Sequence, residues 1–168
     1  MRLGSTSLGP RVREHHHPSV TVVYRSSKTF RNFPCAHRKW RHQGHCAHVH
    51  GYSREFIVWF ESDERDPNGF VVDFGALKEV RAWLEERFDH TLLIDADDPM
   101  LPDFRALEGK GACKLTVFED VSMEGTAKFL YDFLDPWVRA QTQGRARVFS
   151  VECRENDKNS GLYLARSP

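Results

Sequence analysis

The chain has 168 residues, a length that fits one folded domain. Apolar residues make up 40% and charged residues 29%, as is typical of a globular protein. The 24 basic side chains balance the 24 acidic ones, so bulk charge does not indicate a nucleic-acid partner. Since no apolar run reaches the roughly 18 residues of a membrane span, we expect no membrane partner either.

Residues 1–18 are rich in glycine, serine, proline and arginine and lack the apolar core of a signal peptide. We expect a disordered extension here, followed by a single domain over residues 19–168. The four cysteines form no CxxC pair and do not have the spacing of a small disulfide framework. Reduced thiols and a cytoplasmic location are therefore predicted.

The first part of the domain predicts two strands and a helix. Residues 19–33 and 49–62 are rich in β-branched and aromatic residues, and a polar, basic loop at 38–45 separates these two strands. After a charged turn at residues 63–70, a helix is predicted with Asp73 as its N-cap. Its apolar residues recur at spacings of three and four: Leu77, Val80, Leu84 and Phe88.

The second part predicts another helix between strands. Strands are expected over residues 114–119 and 146–153, and residues 161–165 are a further candidate that would close the sheet. The helix follows Ser122 as its N-cap, and Pro136 is expected to kink or shorten it. The order β-β-α-β-α-β predicts an α+β fold with an antiparallel sheet.

Histidines are frequent in this chain: there are nine, and six of them fall between His37 and His90. Residues two apart on a strand point to the same face, roughly 6.5–7 Å from each other. His48, His50 and Tyr52 would therefore share a face, with His37 brought alongside by a hairpin. A single histidine of this kind is more often an ordinary polar residue, but the clustering favours a zinc site with an open position.

Cys46 lies four residues before His50. Most free cysteines are small core residues. Beside a metal ion and histidines, however, the thiolate form is favoured, and a thiolate can act as a general base. Cys46 is therefore a candidate catalytic residue.

Five segments of the chain occur together in the order and spacing of one known family. They are FPCAHRKWRHQGHCAHVHGY, GFVVDFGALKEV, RFDHTLL, LTVFEDVSMEGTAKFL and SVEC. From about Ser19 to Ala165 the chain resembles the 6-pyruvoyltetrahydropterin synthase / 6-carboxytetrahydropterin synthase family. The Cys-x-x-x-His-Gly spacing at Cys46 is more similar to the bacterial 6-carboxytetrahydropterin synthase branch, which belongs to the queuosine pathway.

The resemblance implies a tunnelling fold, in which a four-stranded antiparallel sheet carries two helices on one face. Three copies of such a subunit close into a barrel, and two trimers often stack into a hexamer. We therefore expect a homotrimer or a homohexamer.

The resemblance also implies a zinc ion held by three histidines, and His37 and His50 match the first two. The third family histidine falls at Tyr52 in this chain. We predict that His48 supplies the missing imidazole, because an imidazole binds zinc without first losing a proton, whereas a phenol must lose one. The alternatives are Tyr52 itself, the loop histidines His42 and His45, and a site without metal.

The remaining site residues are also carried over from the family. Cys46 matches the catalytic thiol. Asp89 and His90 match a pair that relays protons from a neighbouring subunit, and Glu152 matches the glutamate that anchors the pterin ring. The segment CRENDKNSG after Val151 and Glu152 departs from the short threonine-rich turn of the family.

Two functions follow as hypotheses. The first is a zinc-dependent lyase that converts 7,8-dihydroneopterin triphosphate to 6-carboxytetrahydropterin with loss of triphosphate and acetaldehyde. A variant of it forms 6-pyruvoyltetrahydropterin or cleaves dihydroneopterin. The second is a non-catalytic protein that binds a pterin or purine-like ring and has an altered metal site.

Overall fold

A long β-hairpin forms the centre of the sheet and carries the two matched histidines. In this computed structural model, which describes residues 22–165, β1 (Tyr24–His37) pairs antiparallel with β2 (His50–Ser62). The strands hold His37 directly opposite His50 at the loop end of the hairpin. The two strands predicted for this part of the chain are confirmed, and β1 extends four residues further than expected.

The hairpin lies inside a six-stranded mixed sheet. Its order is β4-β3-β1-β2-β5-β6, in which β3 runs parallel to β1 and β4 parallel to β3, while the other pairs are antiparallel. The prediction of a four-stranded antiparallel sheet is therefore wrong in strand number and in direction. Beside the hairpin the sheet contains β3 (Thr91–Asp95), β4 (Leu115–Phe118), β5 (Arg147–Arg154) and β6 (Ser160–Leu164). The last three lie where strands were predicted, and β3 was not predicted.

Three helices, rather than the expected two, pack on this sheet: α1 (Lys78–Phe88), α2 (Leu101–Gly109) and α3 (Met123–Gln141). The first and third share one hydrophobic core with the central hairpin. Their side chains also meet directly, since the rings of Trp83 and Phe133 stack at 4.0 Å. The second helix packs with β3 in a separate small cluster, so the expectation of two helices on one face holds for α1 and α3.

The helix boundaries differ from the predicted ones in two places. Asp73 does not cap α1; its Oδ1 accepts a hydrogen bond from the backbone N–H of Gly75 at 2.8 Å and stabilises the turn before the helix. Ser122 is confirmed as the N-cap of α3, because its Oγ accepts from the backbone N–H of Gly125 at 3.0 Å. The helix is not shortened at Pro136 but continues to Gln141.

A β-bulge in β1 turns His37 toward the core. Asn32 has a φ of 70°, and the pairing register shifts between Phe30 and Phe33. Such an extra residue moves every following side chain to the other face of the strand. Phe33 and His37 are consequently buried on the side of the sheet that holds the core.

An ion-pair network connects the segment just after His37 to β3 and to the residues before α3. The ammonium group of Lys39 contacts the carboxylates of Asp95, at 3.1 Å, and Asp120. Burial lowers the pKa of Lys39, but its hydrogen bonds to the two carboxylates outweigh this effect and raise the pKa overall. Asp95 also accepts from the backbone N–H of Val121 at 2.7 Å, so one network joins β1, β3 and the start of α3.

No helix within residues 22–165 is long and apolar enough to cross a membrane. All four cysteines are free. The predicted extension at residues 1–18 lies outside the described residues, and the cytoplasmic location stays a prediction.

Asp95→Asn should destabilise the fold by about 2 kcal/mol, because the partly buried charge of Lys39 then loses a hydrogen-bonded partner. Denaturant-induced unfolding measures this difference. Asp132→Asn is the matched control, since its ion pair with Lys128 is exposed and should contribute far less. Equal losses in the two variants would contradict a structural role for the network.

Candidate metal centre and active site

The rings of His37 and His50 face each other at the loop end of the hairpin. Their centroids lie 4.3 Å apart, and the His37 side chain is 7% exposed. The glycine that follows His50 lets the strands approach closely, because a Cβ at Gly51 would lie 2.9 Å from the carbonyl oxygen of Cys35. The His-Gly sequence therefore has a packing reason as well as a chemical one.

A third donor side chain, Glu155, lies against both rings. It directly follows β5, and its Oε1 is 3.5 Å from Nε2 of His37 and 3.9 Å from Nε2 of His50. Among the histidine, cysteine, aspartate and glutamate side chains of residues 22–165, these three form a group whose ligand atoms all lie within 4.8 Å of one another.

The donor set and its spacing fit a divalent metal ion. A tetrahedral zinc ion with bonds of about 2.0–2.1 Å holds its donor atoms about 3.4 Å apart. The two separations from Glu155 are 3.5 and 3.9 Å, close to that value. Two imidazoles and one carboxylate are also a ligand set that catalytic zinc sites use.

The ring atom Nε2 of each histidine points toward the cluster. Nδ1 of His50 donates to the carbonyl oxygen of His48 at 2.8 Å, which leaves the lone pair of Nε2 directed at the cluster. Nδ1 of His37 is buried and has no hydrogen-bond partner among the described residues. Nε2 of the same ring faces Glu155 and is the atom that this geometry offers to a metal ion.

Burial, together with the nearby charges of Arg54, His50 and Lys39, lowers the pKa of His37 to about 3. His37 is therefore neutral at pH 7, and its approach to Glu155 is not an ion pair. The neutral ring is the form that binds a metal ion.

The structure does not bring the ring of His48 into this cluster. Because β2 begins at His50, His48 precedes the strand, and the expected alternation of side chains does not apply to it. Its side chain is exposed, and its backbone carbonyl orients His50. The role of His48 as the third ligand stays a prediction that this geometry does not support.

The other candidates for the third ligand are more exposed than Glu155. Tyr52 is 45% exposed, and its ring stands edge-on to His50 with the centroids 6.0 Å apart. His42 and His45 are exposed on the loop, where Nδ1 of His42 accepts from the backbone N–H of Gly44 at 2.9 Å.

Cys46 is exposed in a short 3-10 helix (His45–Ala47) on the loop between β1 and β2. Its carbonyl oxygen accepts a hydrogen bond from the backbone N–H of Lys39 at 2.7 Å. This bond holds Cys46 near the end of the strand that carries His37.

Asp89 and His90 form a pair, as the sequence predicts. Oδ1 of Asp89 lies 2.9 Å from Nδ1 of His90, whose ring is 81% exposed. The backbone N–H of His90 donates to Pro34 at 2.7 Å, and His37 lies three residues, roughly 10 Å, further along β1. Within one chain the pair stands near the metal cluster but outside it.

Glu152 lies on β5, on the face of the sheet away from the cluster. Its neighbour Cys153 is buried in the core, and side chains alternate along a strand, so Glu152 takes the opposite side. Its Oε1 accepts a hydrogen bond from Nε of Arg154 at 2.9 Å. One chain alone therefore does not place Glu152 beside His37 and His50.

Sequence reasoning missed Glu155. The only signal for it was the unusual segment after Glu152, which introduces a second carboxylate three residues later. Its contact with the histidines depends on the register between β5 and β2, which no local pattern specifies.

The sequence is similar to that of known pterin synthases. The sequence profile described as 6-pyruvoyl tetrahydropterin synthase matches residues 26–165. A protein from Aquifex aeolicus named 6-carboxy-5,6,7,8-tetrahydropterin synthase is 34% identical over 155 residues, which cover 82% of this chain and 95% of that protein. A Bacillus subtilis protein of the same name is 32% identical over 78 residues, 46% of this chain and 51% of the relative.

Solved structures share the fold. An uncharacterized protein from Wolinella succinogenes has a TM-score of 0.73 at 27% identity, covering 86% of this chain and 99% of the other. The 6-pyruvoyl tetrahydropterin synthase of Plasmodium vivax has a TM-score of 0.63 at 16% identity, with the same coverage.

The mixed sheet carries, at the end of its central hairpin, a cluster of two histidines and a carboxylate that could hold a metal ion. The chain belongs to the 6-pyruvoyl tetrahydropterin synthase family, in agreement with the resemblance of its motifs. The fold is that of its structural relatives, with six strands and three helices in the described residues.

His37→Ala should reduce the zinc content of the purified protein from about one ion per subunit to near zero, because a buried ligand is removed. Elemental analysis by mass spectrometry measures the content. His45→Ala is the control, since His45 is exposed on the loop and lies outside the cluster. Full zinc content in His37→Ala would show that the metal binds elsewhere.

Proposed function

We propose that this chain is a zinc-dependent lyase of the queuosine pathway. It converts 7,8-dihydroneopterin triphosphate and water to 6-carboxy-5,6,7,8-tetrahydropterin, triphosphate and acetaldehyde. The Aquifex aeolicus protein named for this product supports the proposal, because the similarity covers 95% of that protein. The observation that carries it is the facing pair of His37 and His50, with Cys46 on the loop between them.

A metal ion and the thiol of Cys46 would act together to remove a proton from a carbon atom of the substrate. When bound, zinc supplies Lewis acidity that makes a proton on the carbon beside a coordinated hydroxyl more acidic. His37 and His50, fixed opposite each other on paired strands, hold the site in one geometry. The thiolate of Cys46 removes the proton, and a well-placed general base contributes about 10²–10⁴-fold in rate.

Asp89 and His90 move protons later in the reaction. The carboxylate of Asp89 orients the ring of His90, and the free edge of the ring exchanges protons with the substrate. Because the ring is 81% exposed and lies outside its own metal cluster, we assign it to the site of a neighbouring subunit.

Glu152 recognises the pterin ring. The ring presents adjacent hydrogen-bond donors on one edge, and a carboxylate can accept two of them at once. Glu152 lies on the sheet face opposite to the histidines of its own chain, so this contact also calls for a site shared between subunits.

We propose a homotrimer or a homohexamer for the same reason. The edge strands of the described sheet, β4 and β6, have backbone groups that another copy can pair with. On β6 two large apolar side chains, Leu162 and Leu164, are exposed. Joining sheet edges between copies would complete a barrel and bury part of this surface.

The wild-type protein should form 6-carboxy-5,6,7,8-tetrahydropterin from 7,8-dihydroneopterin triphosphate, as detected by mass spectrometry. Cys46→Ala should lower turnover at least about 100-fold with zinc content unchanged, because the general base is lost and the metal ligands are not. Cys113→Ala is the control for the loss of a thiol, since Cys113 packs against the small cluster of α2 and does not belong to the group of His37, His50 and Glu155.

Two outcomes would contradict the proposal. Turnover of Cys46→Ala within about tenfold of wild type would remove the thiol from the mechanism. A wild-type protein that binds a pterin without metal and without turnover would favour the non-catalytic hypothesis.

Mixed oligomers should test the shared site. Cys46→Ala and His90→Ala should each be nearly inactive, but oligomers reassembled from both should recover activity, because an intact Cys46 then meets a neighbour's intact His90. Mixing Cys46→Ala with His37→Ala is the control, since these residues serve the same subunit's site and no intact pair arises. Absence of recovery in the first mixture would place His90 in the site of its own chain.

A further inference from the structure

We infer that Glu155 is the third protein ligand of the metal ion, in the role that the family gives to a histidine at the position of Tyr52. The inference rests on the proposed function only for the presence of the ion. It assigns the site two imidazoles and one carboxylate, held by β1, by β2 and by the loop after β5.

The two oxygens of Glu155 have separate surroundings. Oε1 faces Nε2 of both histidines, at 3.5 Å from His37 and 3.9 Å from His50. Oε2 faces the side-chain amides of Asn156 and Asn159, at 3.5 and 3.4 Å. A ligand carboxylate with its second oxygen supported by hydrogen-bond donors is the usual arrangement around a protein-bound metal.

The loop that carries Glu155 is folded rather than extended. The backbone N–H of Glu155 donates to the carbonyl oxygen of Asn159 at 3.0 Å, which closes the turn between β5 and β6. Oδ1 of Asn156 accepts from the backbone N–H groups of Lys158, at 2.8 Å, and Asn159, at 3.0 Å. These bonds order the turn that directs the carboxylate at the imidazoles.

Charge balance favours a carboxylate at this site. Arg54, on the same sheet face, is 1% exposed and forms no ion pair with a carboxylate within the described residues. It lies on the same strand as His50, four residues further along, and so on the same face. A third neutral imidazole would leave a divalent ion and a buried guanidinium uncompensated, whereas Glu155 supplies one negative charge.

Tyr52 is the weaker candidate. It stands edge-on to His50 and is 45% exposed, whereas the Glu155 side chain is 17% exposed and lies between the two imidazoles and the asparagine amides. A phenol must also lose a proton before it binds a metal at neutral pH, which a carboxylate does not require.

Titration of the metal-free protein with Co²⁺, followed by visible absorption, measures affinity and reports the donor set without turnover. Glu155→Gln keeps the size of the side chain and removes its charge, so it should weaken Co²⁺ binding at least about 100-fold and change the spectrum. Glu155→Asp should weaken it less. Asn159→Ala, which removes a support of the carboxylate, should weaken it about tenfold.

Glu152→Gln is the matched control for metal binding, because the same change is made three residues away on the opposite sheet face. It should keep wild-type affinity, as should Tyr52→Phe and His48→Ala. Thermal unfolding confirms that each variant is folded.

Wild-type Co²⁺ affinity in Glu155→Gln would overturn the assignment, and so would a wild-type protein that binds no metal. Loss of binding in Tyr52→Phe or His48→Ala, with Glu155→Gln unaffected, would identify the ligand instead. A protein that binds Co²⁺ through Glu155 but leaves 7,8-dihydroneopterin triphosphate unconverted supports the ligand assignment and refutes the proposed function.

Discussion

The register of the central hairpin is the constraint on which both the core and the site depend. The bulge at Asn32 sends Phe33 into the core, where its ring lies 5.9 Å from that of Phe56, and places His37 opposite His50. Without the extra residue, both side chains would point to the other face of the sheet. The apolar packing that stabilises the hairpin therefore also sets the spacing of the two imidazoles.

Electrostatics explains why a carboxylate belongs next to these histidines. The guanidinium of Arg54 contacts sulfur atoms of Met123 and Cys153 rather than an anion. Burial raises the pKa of Cys153 to about 12, so this thiol stays neutral and does not balance the charge. Burial, aided by the charge of Arg54, keeps His37 unprotonated, and Glu155 is the carboxylate placed where it would offset the charge of a cation bound there.

The sequence predicted the elements that show a clear pattern over neighbouring residues. The hairpin strands, the apolar stripe of α1 and the Ser122 cap follow from side-chain periodicity and capping chemistry. The strand β3 was missed because all five of its residues are buried and show no alternation, and α2 because Phe104 is its only buried residue. Sequence motifs found His37 and His50, but Glu155 joins them only through pairing between distant strands.

The location of Glu155 has a consequence for metal exchange. Two of the three donors are fixed on paired strands, whereas the third belongs to a five-residue turn (155–159) at the end of a hairpin. Such a turn opens locally at a much smaller free energy than the sheet. With Glu155 as the third ligand, an ion would therefore enter and leave through local opening of this turn while the subunit stays folded, and occupancy would follow the supply of free metal.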